Sequence, residues 1–214
     1  MRRRWALAIA GAALAASALL AGCDTTVTGT AQPAGGAGPG ASTNTPARRT
    51  TLDCSGGTVI RPSGAPYCYQ LPAGFHDATD QLTLTYQSAN PSQYDSAVAV
   101  AVHDVIIVVV YPLRQDSDAL SSSVLGEQVN AVLRAGESSG FTVMGSPTPT
   151  TVSGSRAFEI PIKQNDGQFS AMIYFVFNGF TEVEINCQWA QQVAEITRGC
   201  ASVLKSVQIV DPPR

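Results

Sequence analysis

The residues with the widest chemical reach are few. Glu182 and Glu184 lie two apart in the run Thr181 to Cys187, which puts them about 7 Å apart on one strand face, within the range of the two carboxyls of an inverting glycosidase. Those carboxyls must face each other across a sugar, whereas neighbours on one strand point the same way, so the pair reads as a solvated polar face. His76 and His103, the two histidines, each precede an acid, Asp77 and Asp104. Adjacent strand residues point to opposite faces, so neither histidine forms a dyad with its neighbour, and both read as surface or strand-edge residues. The sequence has no Gly-x-Ser-x-Gly elbow, no Ser-x-x-Lys, no phosphate loop and no His-Glu-x-x-His helix. Accordingly no catalytic residue, metal or cofactor is expected. Met172, Tyr174 and Trp189 offer a different chemistry, the lining of a lipid or glycolipid cleft, in which a ring packs on the acyl part while its polar handle meets the headgroup. Core packing is the competing role for the same three residues.

The five cysteines divide by context. Arg2, Arg3 and Arg4 precede an Ala-rich apolar stretch that closes on Leu20-Ala21-Gly22-Cys23, the order of a signal peptide. Trp5 to Gly22 is 18 residues, short and Ala/Gly-rich for a retained membrane span. Leu20-Ala21-Gly22-Cys23 resembles the bacterial lipobox, which implies diacylglyceryl transfer to the Cys23 sulfur and cleavage before it. Two or more acyl chains hold a protein on a bilayer stably. The other four, Cys54, Cys68, Cys187 and Cys200, suit an oxidising compartment and are expected as local disulfides, Cys54 with Cys68 and Cys187 with Cys200. Each closes a short loop, for which the chain-entropy model gives about 3 kcal/mol. A zinc site is the rival, disfavoured because neither pair has knuckle spacing and neither histidine is near.

Composition narrows the class further. The chain has 214 residues, 14% charged and 44% hydrophobic, with a formal net charge of -3 and a pI near 5.3. Removing residues 1–22, which carry three arginines and no acid, leaves ten basic against sixteen acidic residues, a charge of -6. Such a body has no basic surface for nucleic acid and is repelled by an anionic leaflet, so membrane contact is expected through the anchor. Residues 23–51 are Gly, Ala, Pro, Ser and Thr with almost no large apolar side chain, a flexible tether reaching about 30 Å on average. Residues 52–214 are expected to form one domain.

Within that domain, Pro66 to Leu71 reads as a strand leading into the turn Leu71-Pro72-Ala73-Gly74-Phe75. Gln81 to Tyr86 alternates as a strand, and Val98 to Val110 is a Val/Ile run expected as a strand covered on both faces. Asp116 to Ser138 has helical spacing in Leu125, Val129, Val132 and Leu133, with Gly140 as its stop. Three strands follow over about 151–162, 168–177 and 181–187, separated by Asn165-Asp166-Gly167 and Asn178-Gly179 turns. A last helix over 189–205 places Trp189, Val193, Ile196, Cys200 and Val203 on one stripe. Pro161 inside a strand implies an edge or a bulge, and an edge there would recruit a partner strand. The strand over 168–177 is apolar on both sides, and the next is polar at Glu182, Glu184 and Asn186, so one face of the sheet is expected to be incompletely covered, with a ligand cleft under that cover.

The lipobox, the Thr/Pro tether, Leu71-Pro72-Ala73-Gly74-Phe75, the central helix, the three-strand meander and the closing helix ending in Val203-Leu204-Lys205-Ser206-Val207-Gln208-Ile209 resemble the LpqN/LpqT group of actinobacterial lipoproteins. The resemblance spans most of the chain from Cys54 to Ile209. It implies an α+β domain, an antiparallel sheet of five to six strands with helices on its faces, as in the PsbP-like α/β/α sandwich. It further implies an envelope lipoprotein without enzymatic activity, a binding or adaptor module for a lipid, a glycolipid or an envelope protein partner. A secreted hydrolase of envelope esters or glycans is the alternative from a different class.

Overall fold

The computed structural model describes residues 51–81, 94–137 and 140–210. Cys23, the signal peptide, the tether up to residue 50 and residues 82–86 of an expected strand lie outside the described residues. In chain order the elements are β1 (Val59–Ile60), β2 (Tyr67–Gln70), β3 (His76–Asp77), β4 (Tyr94–Ala101), β5 (Asp104–Pro112), α1 (Ser122–Glu137), β6 (Phe141–Val143), β7 (Thr148–Val152), β8 (Ser155–Gln164), β9 (Ser170–Asn178), β10 (Thr181–Trp189), α2 (Val193–Ser206) and β11 (Gln208–Ile209). The fold is α+β, with every strand pairing antiparallel.

Among the described residues the main sheet has eight strands, ordered β3-β4-β5-β10-β9-β8-β6 with β7 also on β8, more than the five to six expected. Two turns without the usual Asn-Gly signature each divide one expected strand in two, and the short β3 and β6 add the rest. The Val98 to Val110 run is a hairpin, not one strand, because Val102-His103 reverses the chain between Ala101 and Asp104 with His103 at φ 67°. Ser153-Gly154, at φ 50° and 86°, likewise folds the expected strand over 151–162 into β7 and β8. The Gly167 turn and the Asn178-Gly179 turn join β8, β9 and β10 as a meander, as the sequence indicates.

One face of this sheet carries α2 and the small β1-β2-β11 sheet. A 14-residue helix is marginal alone in water, so packing holds α2: Ile196, Cys200 and Val203 bury against Ile106, Val108, Val183 and Ile185, each large aliphatic contributing about 1.5–3 kcal/mol. Gly199 keeps the helix close, since a Cβ there would collide with the Phe75 ring, which follows the Gly74 turn. The small sheet is fastened by Tyr67, whose hydroxyl donates to Ser96 Oγ at 2.8 Å, and by Tyr69, 3.0 Å from the same oxygen. Both expected disulfides are present on this side, Cys54–Cys68 and Cys187–Cys200.

α2 begins at Val193 and not at Trp189, a correction with a clear cause. Trp189 closes β10 opposite Ser170, and Asp104 accepts the amides of Ala190, Gln191 and Gln192 at 2.9, 3.0 and 2.7 Å. That carboxylate, buried at 2% exposure, holds the link in a non-helical path and caps the approach to α2. The opposite face carries α1, whose Leu125, Val129 and Leu133 pack with Phe158, Ile160, Ile173 and Phe175. Arg156 anchors the chain before α1, donating through Nη1 to Leu120 O at 2.7 Å and through Nη2 to Ser117 O.

Pro161 does not mark an open edge. β8 pairs with β9 along its length, and on its other side β6 ends at the Val143–Ile162 pair while β7 begins at Thr148–Glu159. Pro161 occupies the gap between them, where its carbonyl accepts from Met144 and a missing N–H costs no ladder bond.

Candidate functional site

The site follows from register. β10 lies between β5 and β9, so each of its residues has a fixed neighbour on either side. On the α1 side of the sheet β10 presents Glu182, Glu184, Asn186 and Gln188, one every two residues and therefore about 7 Å apart. Glu182 is flanked by Tyr111 and Phe177, Glu184 by Val109 and Phe175, Asn186 by Ile107 and Ile173, and Gln188 by Val105 and Ala171. The flanking residues belong to two separate apolar clusters. Phe177, Phe175, Ile173 and Ala171 pack under α1, while Tyr111, Val109, Ile107 and Val105 pack with Ala78, Ala97 and Ala99. A polar file thus runs down the central strand between two apolar walls.

Glu182 and Glu184 are partly buried, which corrects the expectation of a solvated polar face. Alternation along one strand cannot reveal this, because the walls come from β5 and β9. Burial raises both carboxyls from 4.5, Glu182 to about 8 with the neighbouring Glu184 charge adding to it, and Glu184 to about 7. Among the described residues neither has an ion-pair partner. Further along the file, Asn186 is 5% exposed and its Oδ1 has no hydrogen-bond partner. Gln188 is fully buried; its Nε2 donates to His103 O at 3.1 Å, which fixes the amide orientation and leaves Oε1 unpartnered.

Met172, Tyr174 and Trp189 come together on the other face, beside α2, with Met172 opposite Cys187, Tyr174 opposite Ile185 and Trp189 opposite Ser170. All three are partly buried, and Tyr174 and Trp189 pack against the α2-side core. Burial, then the charge of Glu159 across the strand, raises the Tyr174 hydroxyl above its ordinary value. His76 lies on the exposed β3 and His103 in the β4–β5 turn, so neither side chain joins the carboxyl pair. Sequence reasoning missed Gln188, the aromatic flanks Tyr111, Phe175 and Phe177, and the clamp role of Asp104. The signal for the file was present in the period-two polarity of 182–188 inside a segment otherwise as apolar as a central strand. Among the described residues no cluster of His, Cys, Asp and Glu could hold a metal, and no helix is long and apolar enough to cross a membrane.

No protein-family model and no curated protein matches the chain. Among solved structures it is similar to a crystal structure from Bacteroides thetaiotaomicron VPI-5482, with a TM-score of 0.43 and 8% identity over 72% of this chain and 49% of that one. It is also similar to LpqN, involved in cell envelope biogenesis of Mycobacterium tuberculosis, with a TM-score of 0.41 and 11% identity over 73% of this chain and 87% of that one. The chain spans about half the length of the first of these. Neither likeness assigns a family or an activity.

Proposed function

We propose that this chain is an extracytoplasmic lipoprotein of the LpqN/LpqT type, with a PsbP-like α/β/α domain, anchored through acyl chains on Cys23 and working as a non-catalytic binding or adaptor module for an envelope amphiphile. The observation that carries the binding role is the polar file of β10 between two apolar walls: the walls suit an acyl body and the file a polar headgroup. The leading lipobox and the -6 body support the anchored address, with the domain held off an anionic surface by its own charge. Catalysis by the carboxyl pair finds no support in the geometry, since Glu182 and Glu184 project from one strand in the same direction.

Native mass spectrometry of the full chain from a lipid-containing host, before and after organic extraction, tests this reading. A discrete extractable adduct supports it, whereas a clean unliganded mass leaves only the adaptor role. Release of a cleaved product from added envelope lipids would overturn the non-catalytic part. Cys23→Ser is expected to move the protein from the membrane to the soluble fraction.

A further inference from the structure

The β10 file holds two unpartnered amide oxygens and two acids. Asn186 Oδ1 and Gln188 Oε1 are buried acceptors without donors, and Glu182 and Glu184 add four carboxyl oxygens in the same line. With both acids ionised, these groups offer oxygens to a ligand that donates hydrogen bonds and carries positive charge. The surrounding charges agree. Asp95 lies on the same face, in the cross-strand row of Glu184 through Val109, and adds a third acid. On β8 the Arg156 guanidinium shares this face but is spent on the carbonyls of Ser117 and Leu120. From β5 the facing titratable side chain is Tyr111, while β9 contributes none beside the pair. Aromatic rings flank the acids directly, Tyr111 and Phe177 beside Glu182 and Phe175 beside Glu184, and ring faces attract a desolvated cation.

We infer that the polar end of the amphiphile is an organic cation, an ammonium seated at Glu182 and Glu184 between Tyr111, Phe175 and Phe177, with its apolar body along the walls of the file. The inference rests on the binding role proposed above. An ammonium satisfies carboxylate and amide oxygens together, which a sulfate or phosphate headgroup cannot do.

Equilibrium binding of three probes with the same eight-carbon tail, octylammonium, octyl glucoside and octyl sulfate, to the full chain carrying Cys23→Ser tests it. The cationic probe is expected to bind at least about tenfold more tightly than the other two, and Glu182→Gln with Glu184→Gln to abolish that preference. Asn186→Leu, which leaves both acids in place, is expected to weaken the cationic probe several-fold without lowering the unfolding midpoint. Equal binding of all three probes, or preference for the glucoside or the sulfate, overturns the cationic headgroup and leaves the binding role standing. Failure of every probe to bind the folded protein overturns both.

Discussion

Replacing Glu182 and Glu184 together by glutamine removes two ionisable groups with almost no change of shape, and the expected result is a more stable protein at neutral pH. Each carboxyl is held by burial above its ordinary 4.5, to about 8 and about 7 respectively. The folded protein therefore binds more protons than the unfolded chain between about pH 4.5 and 8, and its stability falls as pH rises through that window. A tenfold change in proton affinity corresponds to about 1.4 kcal/mol, so each group would cost about 3 kcal/mol at pH 7, and solvent at the partly exposed side chains reduces this to about 1–2 kcal/mol each. Urea unfolding of the parent should lose about 2–4 kcal/mol between pH 5 and pH 8, while the double glutamine variant stays level and exceeds the parent by a similar amount at pH 8. Near pH 4.5 the two proteins should be equal, because both carboxyls are then protonated in the fold. A parent whose stability is flat or rises from pH 5 to 8, or a double variant less stable at pH 8, would refute the claim that these acids are desolvated.

Other expectations concern the opposite side of the sheet. Asp104→Ala strips three amides of their acceptor and should cost about 3 kcal/mol in denaturant unfolding, with Asp104→Asn recovering part of it. Removing the Cys187–Cys200 bridge as a Cys→Ala pair should lower stability by about 3 kcal/mol, read as a lower thermal midpoint that reducing agent also produces in the parent. Gly199→Ala forces the Phe75 ring away from α2 and should destabilise by about 1–3 kcal/mol, whereas combining it with Phe75→Leu should restore part of the loss.

Local chemistry made much of the architecture readable. Leu125, Val129 and Leu133 repeat at helical spacing, Gly140 ends that segment at φ 101°, and Gly167 and Gly179 take positive φ where the turns require it. The two disulfides pair within short loops as their spacing indicates. What stayed hidden depended on distant partners. His103 and Ser153 take positive φ inside runs of strand-forming residues, where a lone His and a Ser-Gly pair are weaker turn signals than Asn-Gly, so two hairpins read as single strands. Trp189 fits a helical stripe by period alone, yet Asp104, 86 to 88 residues away from the amides it accepts, ends the strand there. The environment of Glu182 and Glu184 is set by β5, some seventy residues earlier, and no pattern within β10 encodes that neighbour. The same long-range register explains why Met172, Tyr174 and Trp189 share a face and yet lie on the side away from the polar file.

The clamp at Asp104 has a mechanical meaning. Together with the Cys187–Cys200 bridge it welds the start of β5, the end of β10 and the start of α2 into one block, while the second bridge ties Cys54 to β2 and the Ser96 hydroxyl node fastens that small sheet to β4, the neighbour of β5. Across the sheet, α1 is retained by side-chain packing and by the grip of Arg156 on two carbonyls. The molecule therefore has a stiff back and a compliant front. Hydrogen exchange through local opening is therefore expected to be faster for the amides of α1 than for those of α2, where the cross-links hold the strands in register.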